Sequence, residues 1–169
     1  MLRFAFLFAA IIVALFAAEL TPPGQRYFVE PWTAAVAQVA TATMKAFDPA
    51  VVAIGPTVMS TKTGFAVTIL AGCNGVEAMI VLVAAMLAFP APWKHRVIGI
   101  VAGIVAIQAL NLVRIVSLFY LGQWDQDVFE WAHLYAWQVL VMIDGLVVWL
   151  LWLRALPASL PAGAEPAPA

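Results

Sequence analysis

Thr68-Ile69-Leu70-Ala71-Gly72-Cys73-Asn74-Gly75-Val76-Glu77-Ala78-Met79 opens onto an apolar run that continues to Phe89. The stretch is polar and glycine-containing at its start and reads as a membrane helix at its end. It holds the only cysteine of the chain, Cys73, bracketed by Gly72 and Gly75. A carboxylate, Glu77, follows the cysteine by one helical turn. A lone thiol at the mouth of an apolar helix, in polar company, is the feature around which the remaining sequence has to be arranged.

Composition sets the solvent. Of 169 residues, 65% are hydrophobic and 10% are charged, and the mean hydropathy is +1.00. Soluble domains carry about 25% charged residues. The chain is therefore expected to be an integral membrane protein with the lipid bilayer as its surroundings and helices as its spanning elements. A net charge of -1 leaves no basic patch to neutralise phosphates, which excludes a nucleic-acid partner. A single cysteine excludes an internal disulfide and a paired-thiol redox motif. His95 and His133 are too distant in sequence to make a local metal site, so neither a metal nor a cofactor is expected.

The patterning predicts an all-α polytopic membrane protein. It has about four transmembrane helices, an external amphipathic helix and a short β-hairpin, all in one domain over residues 1–169. The first span covers residues 1–20. Its Ala17-Ala18 also fits the cleavage site of a signal peptide, and the expectation is a retained helix. Thr21-Pro22-Pro23-Gly24 stops it. Residues 21–72 are external. Within them Glu30-Pro31 opens an amphipathic helix, with Trp32, Val36, Val39, Thr43 and Phe47 at helical spacing and Gln38, Thr41 and Lys45 opposite. Val51–Met59 and Phe65–Ile69 read as two strands about a turn at Ser60–Gly64. Further spans follow at 73–89, 97–120 and 132–153, with a polar loop over Leu121–Trp131. Residues 155–169 are Pro/Ala-rich and expected to be disordered. Arg3, Lys94, Arg96 and Arg154 fall on one side of this arrangement. Short basic flanks are cytoplasmic, so both termini are expected there.

Depth then connects distant residues. The second span descends about 24 Å from Cys73 to Phe89, and the third climbs about 26 Å from Val97 to Arg114, at 1.5 Å per residue. The fourth starts at His133. Cys73, Arg114 and His133 thus share one layer. Each has an ordinary alternative: a small buried hydrophobe for Cys73, an interfacial cation or a Glu77 partner for Arg114, an aromatic-belt residue for His133. Together they have a specific chemistry. A thiolate, favoured at a helix N-terminus, attacks a carbonyl. An imidazole moves the proton, and a guanidinium, which stays charged, stabilises the oxyanion. The trio is an acyl-transfer constellation working through a thioester. The same residues also admit a non-enzymatic membrane subunit, with the trio as packing glue. They admit as well a small transporter lined by Arg114, Glu77 and Asp144. Asn111 and Asn74 are supporting candidates, the first one turn before Arg114, the second as an oxyanion donor or helix cap. Glu77 is a further one, as an anchor for Arg114. Asp144 lies at mid-membrane depth, with Gln108 as a candidate partner.

The sequence resembles the exosortase/archaeosortase family of membrane cysteine transpeptidases over about residues 65–153. The resemblance is carried by Cys73-Asn74-Gly75, by Asn111-Leu112-Val113-Arg114-Ile115 and by His133 at the head of the last helix. The family's cysteine is usually followed by Ser-Gly, where this chain has Asn74-Gly75. Its compact size and the Cys-Asn-Gly-Val-Glu form look most like the exosortase H branch. The resemblance implies a protease/transpeptidase that cleaves the C-terminal sorting signal of exported proteins, of the IPTL-CTERM type. In that reading Cys73 is the nucleophile, His133 the acid/base and Arg114 the oxyanion stabiliser. It also implies a bacterial inner-membrane location with the active site facing the periplasm.

Overall fold

The computed structural model describes residues 2–157. The tail expected to be disordered lies, from residue 158 onward, outside the described residues. Helix α1 spans Leu2–Leu20. The Thr21-Pro22-Pro23-Gly24 stop lasts one residue. The Thr21 hydroxyl accepts a hydrogen bond from the Gly24 amide at 3.1 Å and caps α2 (Pro22–Gly24). Proline suits this position because the first helical residues have no N–H bond to lose. The chain continues through a π-type turn, Gln25–Val29, into α3 (Glu30–Lys45).

Helix α3 packs through small residues. Its buried face is Thr33, Ala37, Ala40, Thr41 and Met44, while Val39, and Phe47 beyond its end, are exposed. The larger apolar stripe beside it is divided, with Val36 and Trp32 packed partly against the two cores and Val39 exposed. Alanines win because they let the helix approach a sheet closely. That sheet has three strands, β1 (Val51–Ile54), β2 (Thr57–Ser60) and β3 (Ala66–Thr68), antiparallel in the order β1-β2-β3. The long strand expected over Val51–Met59 folds back on itself at Gly55-Pro56. Gly55 takes φ 57 as the first residue of a two-residue hairpin turn, which glycine favours. Val51, Val58 and Ile69 then meet Ala37, Ala40 and Met44 of α3 in one core, closed by Ile115 and Phe119.

Helix α4 spans Val76–Ala88, α5 Trp93–Trp124, α6 Gln126–Trp131 and α7 Trp137–Arg154, with a π-type turn over Ala132–Ala136. Residues 121–131, expected as a loop, are helical apart from Asp125. Its carboxylate accepts from the Asp127 and Val128 amides and restarts the helix after one residue. Among the described residues, three helical stretches are long and apolar enough to cross a membrane: Leu2–Leu20, Trp93–Trp124 and Gln126–Arg154. Many of their large apolar side chains face outward, as lipid contact requires. The protein is thus a multi-pass, predominantly helical membrane protein. The fourth expected span is shorter than the others. At 13 residues α4 extends about 20 Å, against a hydrocarbon core of about 30 Å. It packs against α1, α5 and α7, and Val76, Met79, Leu82 and Met86 make a second core with Ile107 and Trp152.

Helix α5 joins the two cores. Its 32 residues extend about 48 Å, well beyond the hydrocarbon thickness. Gly99, Gly103 and Ile107 are buried toward the membrane core, and Ile115, Leu118 and Phe119 at the end that carries the sheet. Asn111 and Arg114 lie on the same buried stripe between the two.

Candidate functional site

The loop from Leu70 to Gly75 is held at both ends. The Ile69 amide donates to the Pro56 carbonyl, which ties the loop's entry to the sheet. The Cys73 amide donates to the Leu70 carbonyl at 3.0 Å and tightens the turn. Gly72 and Gly75 have φ of 82 and 79, the left-handed region open to glycine. They differ in surroundings. A Cβ on Gly75 would run into the Gln108 amide, whereas one on Gly72 would meet nothing within 4 Å.

Asn74 is the anchor of this loop. It is fully buried. Its Nδ2 donates to Thr33 Oγ1 at 3.0 Å, and its Oδ1 accepts from the Val76 amide at 3.0 Å. Its carbonyl accepts from Trp32 Nε1 at 3.3 Å and from Gln108 Nε2 at 3.2 Å. Asn74 thus satisfies the first amide of α4 from one residue ahead of the N-cap, Gly75. Cys73 lies outside the helix, so the helix-terminus support expected for a thiolate there is replaced by side chains from elsewhere.

Those side chains come from α5 and from the π-type turn ahead of α7. Cys73 Sγ lies 3.5 Å from His133 Nε2, and Arg114 Nη2 donates to the same sulfur at 3.4 Å. Arg114 Nη1 donates to the Gly72 carbonyl at 3.4 Å. Arg114 is 3% exposed, and its Nε has no hydrogen-bond partner among the described residues. Glu77, expected to hold Arg114 directly, makes no ion pair with it. Its Oε1 accepts from the Gly72 amide instead. Arg114 and Glu77 thus grip the two sides of Gly72, the residue before the thiol. The His133 ring packs against Phe129, with centroids 5.6 Å apart.

Other candidates lie further off. Asn111 is buried and donates to Gln108 Oε1 at 3.5 Å. Gln108 bonds to Asn74 and to Met79 Sδ, not to Asp144. Glu130, one turn before His133, accepts from Gln126 Nε2 at 3.2 Å. His95 is at the far end of α5, where its carbonyl accepts from Trp152 Nε1. Among the described residues no three His, Cys, Asp or Glu side chains come together as a metal site. Sequence reasoning missed Thr33 and Phe129. Thr33 carried one usable signal, since it leads the Thr33-Ala37-Ala40 stripe of small residues. Phe129 carried none.

A groove of about 720 Å³ opens beside the thiol and runs between α1, α4 and α7, with Gly72, Glu77, Asn111 and Arg114 at one end. It is mostly apolar and reaches Asp144 and Trp149. A family model described as transmembrane exosortase matches residues 1–153 of the chain. Neither the curated proteins nor the solved structures contain a match to it.

Proposed function

The chain belongs to the transmembrane exosortase family, and on that premise we propose that it is a membrane-embedded cysteine protease/transpeptidase. Its substrates are exported proteins with a C-terminal sorting signal, of the IPTL-CTERM type that the resemblance implies. The observation that carries the reading is the sulfur of Cys73 within 3.5 Å of an imidazole and 3.4 Å of a guanidinium. The location that goes with it is a bacterial inner membrane, with both termini cytoplasmic and the thiol on the periplasmic side, an arrangement that counts the short α4 as a fourth crossing beside the three long spans. Basic residues at the helix ends support that orientation.

The chemistry proceeds in two halves. His133 Nε2 takes the thiol proton, and the sulfur attacks the scissile carbonyl to form a C–S bond. The carbonyl oxygen becomes an oxyanion beside Arg114, a donor already charged and already buried. As the intermediate collapses, the C–N bond breaks and His133 returns the proton to the leaving amine. The product is a thioester on Cys73. Water or an amine then adds to the thioester carbonyl, gives its proton to His133, and expels the sulfur, which recovers it. Asn74, Glu77 and Asn111 are positioning residues. Asn74 and Glu77 hold the loop that carries Cys73, and Asn111 supports Gln108, which bonds to that loop.

The test is processing of an exported reporter ending in an Ile-Pro-Thr-Leu motif, a membrane helix and a basic end. Cys73→Ala and His133→Ala are expected to insert normally and to leave the reporter at full length. Wild-type processing by Cys73→Ala would falsify the mechanism.

A further inference from the structure

The groove of about 720 Å³ starts at the thiol's own neighbours and runs into the apolar body of the protein. Its floor is α4, and α1 and α7 both pack on α4 and stand to either side. On α7 the lining residues Gln138, Val141, Met142, Gly145 and Trp149 recur three and four apart. One whole face of that helix is thus turned to the groove. Met142 is 69% exposed there. A Cβ on Gly145 would meet nothing within 4 Å, so no contact inside the chain requires this glycine. It leaves a flat place on the wall where another backbone can come close. Asp144 beside it is half-buried and also lines the groove. A carboxyl at membrane depth is costly and gains from a polar partner, and Asp144 offers such a position on this wall.

We propose that this groove receives the membrane helix of the substrate, laid along α4 between α1 and α7. The inference rests on the sorting-signal reading above. Continuity with the thiol identifies the occupant. In such a substrate the cleaved segment runs directly into its membrane helix. In this protein the loop that carries Cys73 runs directly into α4. A substrate lying along α4 in the same direction brings its extended segment to the sulfur and its helix into the groove. A polar residue of that helix, in the stretch beside Asp144, meets a carboxyl that already faces the groove.

Photocrosslinking tests the placement without needing the chemistry. A Cys73→Ala protein carries benzoylphenylalanine at Met142 or, as a control, at Val105, which is exposed on α5 and does not line the groove. The probe is the exported reporter with its Ile-Pro-Thr-Leu motif and an apolar helix of about 20 residues. Irradiation is expected to join the reporter from Met142 and not from Val105. Equal yields from both positions, or capture of lipid alone at Met142, would overturn the proposal. Crosslinking at Met142 with a wild-type protein that does not cleave would remove the catalytic reading and keep the groove. Cleavage without crosslinking would do the reverse. A second variant, Gly145→Leu, projects a side chain into the groove from a position where an added Cβ would meet nothing within 4 Å. It is expected to lower reporter processing about a hundredfold by displacing the scissile peptide, while Cys73 reacts with iodoacetamide at the wild-type rate. Unchanged processing would overturn the proposal.

Discussion

Arg114 makes two contacts that one point charge cannot reproduce. Its Nη1 holds the Gly72 carbonyl and its Nη2 the Cys73 sulfur, both at 3.4 Å. A guanidinium has a planar fork for this, whereas an ammonium is a compact single donor on a flexible stem. Arg114→Lys is therefore expected to lose about 10²-fold in reporter processing, the cost of removing one oxyanion donor, despite keeping its charge. Glu77 works on the other side of the same glycine, and there geometry matters more than charge. Glu77→Gln keeps an acceptor for the Gly72 amide and should retain most activity, while Glu77→Leu removes it and should not. Measured kcat for the three variants separates the roles. Equal losses in Glu77→Gln and Glu77→Leu would mean that the carboxylate acts through its charge.

The element that matters most is the loop of residues 70–75 at the head of α4. Its conformation is imposed by Gly75, at φ 79 and in contact with Gln108, and by the buried bonds of Asn74. A residue with a Cβ pays about 1–2 kcal/mol in the left-handed region, and at Gly75 it would also displace Gln108. Gly75→Ala is therefore expected to lower the thermal midpoint in detergent and to slow alkylation of Cys73. Gly55 offers the comparison. Its φ is 57, but nothing lies within 4 Å of where a Cβ would be. Gly55→Asn, a residue that tolerates this region, should leave both measurements near wild type. A Gly75→Ala protein with normal alkylation would show that the loop does not set the position of the thiol.

At the scale of the whole molecule, two cores meet at the site. One joins α3, the sheet and the end of α5, and Cys73 packs against its edge. The other joins α4, α5 and α7 around Met79, Leu82, Met86 and Trp152. Phe119 is fully buried in the first, edge-on to both Phe65 and Tyr120. Truncating a buried aromatic costs about 3–5 kcal/mol. Phe119→Ala and Trp152→Ala should both lower the thermal midpoint. Only Phe119→Ala, in the core that Cys73 touches, is expected also to change the alkylation rate. Parallel changes in both variants would argue that the two cores act as a single unit.

Some of this protein is legible in its residues alone. Composition placed it in a membrane, and helical rise brought Arg114 and His133 to the depth of Cys73. Those readings work because partition between water and lipid, and advance along a helix, are properties of a chain segment by itself. Direction around each helix axis is not. It is decided by packing, and it determined that Arg114 and His133 point at one sulfur, that Glu77 reaches Gly72 instead of Arg114, and that Asn74 turns inward to Thr33. Packing likewise turned Ala37, Ala40 and Met44 of α3 toward the sheet. The groove beside α7 is the clearest case. Gly145 is an unremarkable letter in an apolar run, and only the arrangement of α1, α4 and α7 leaves open space above it.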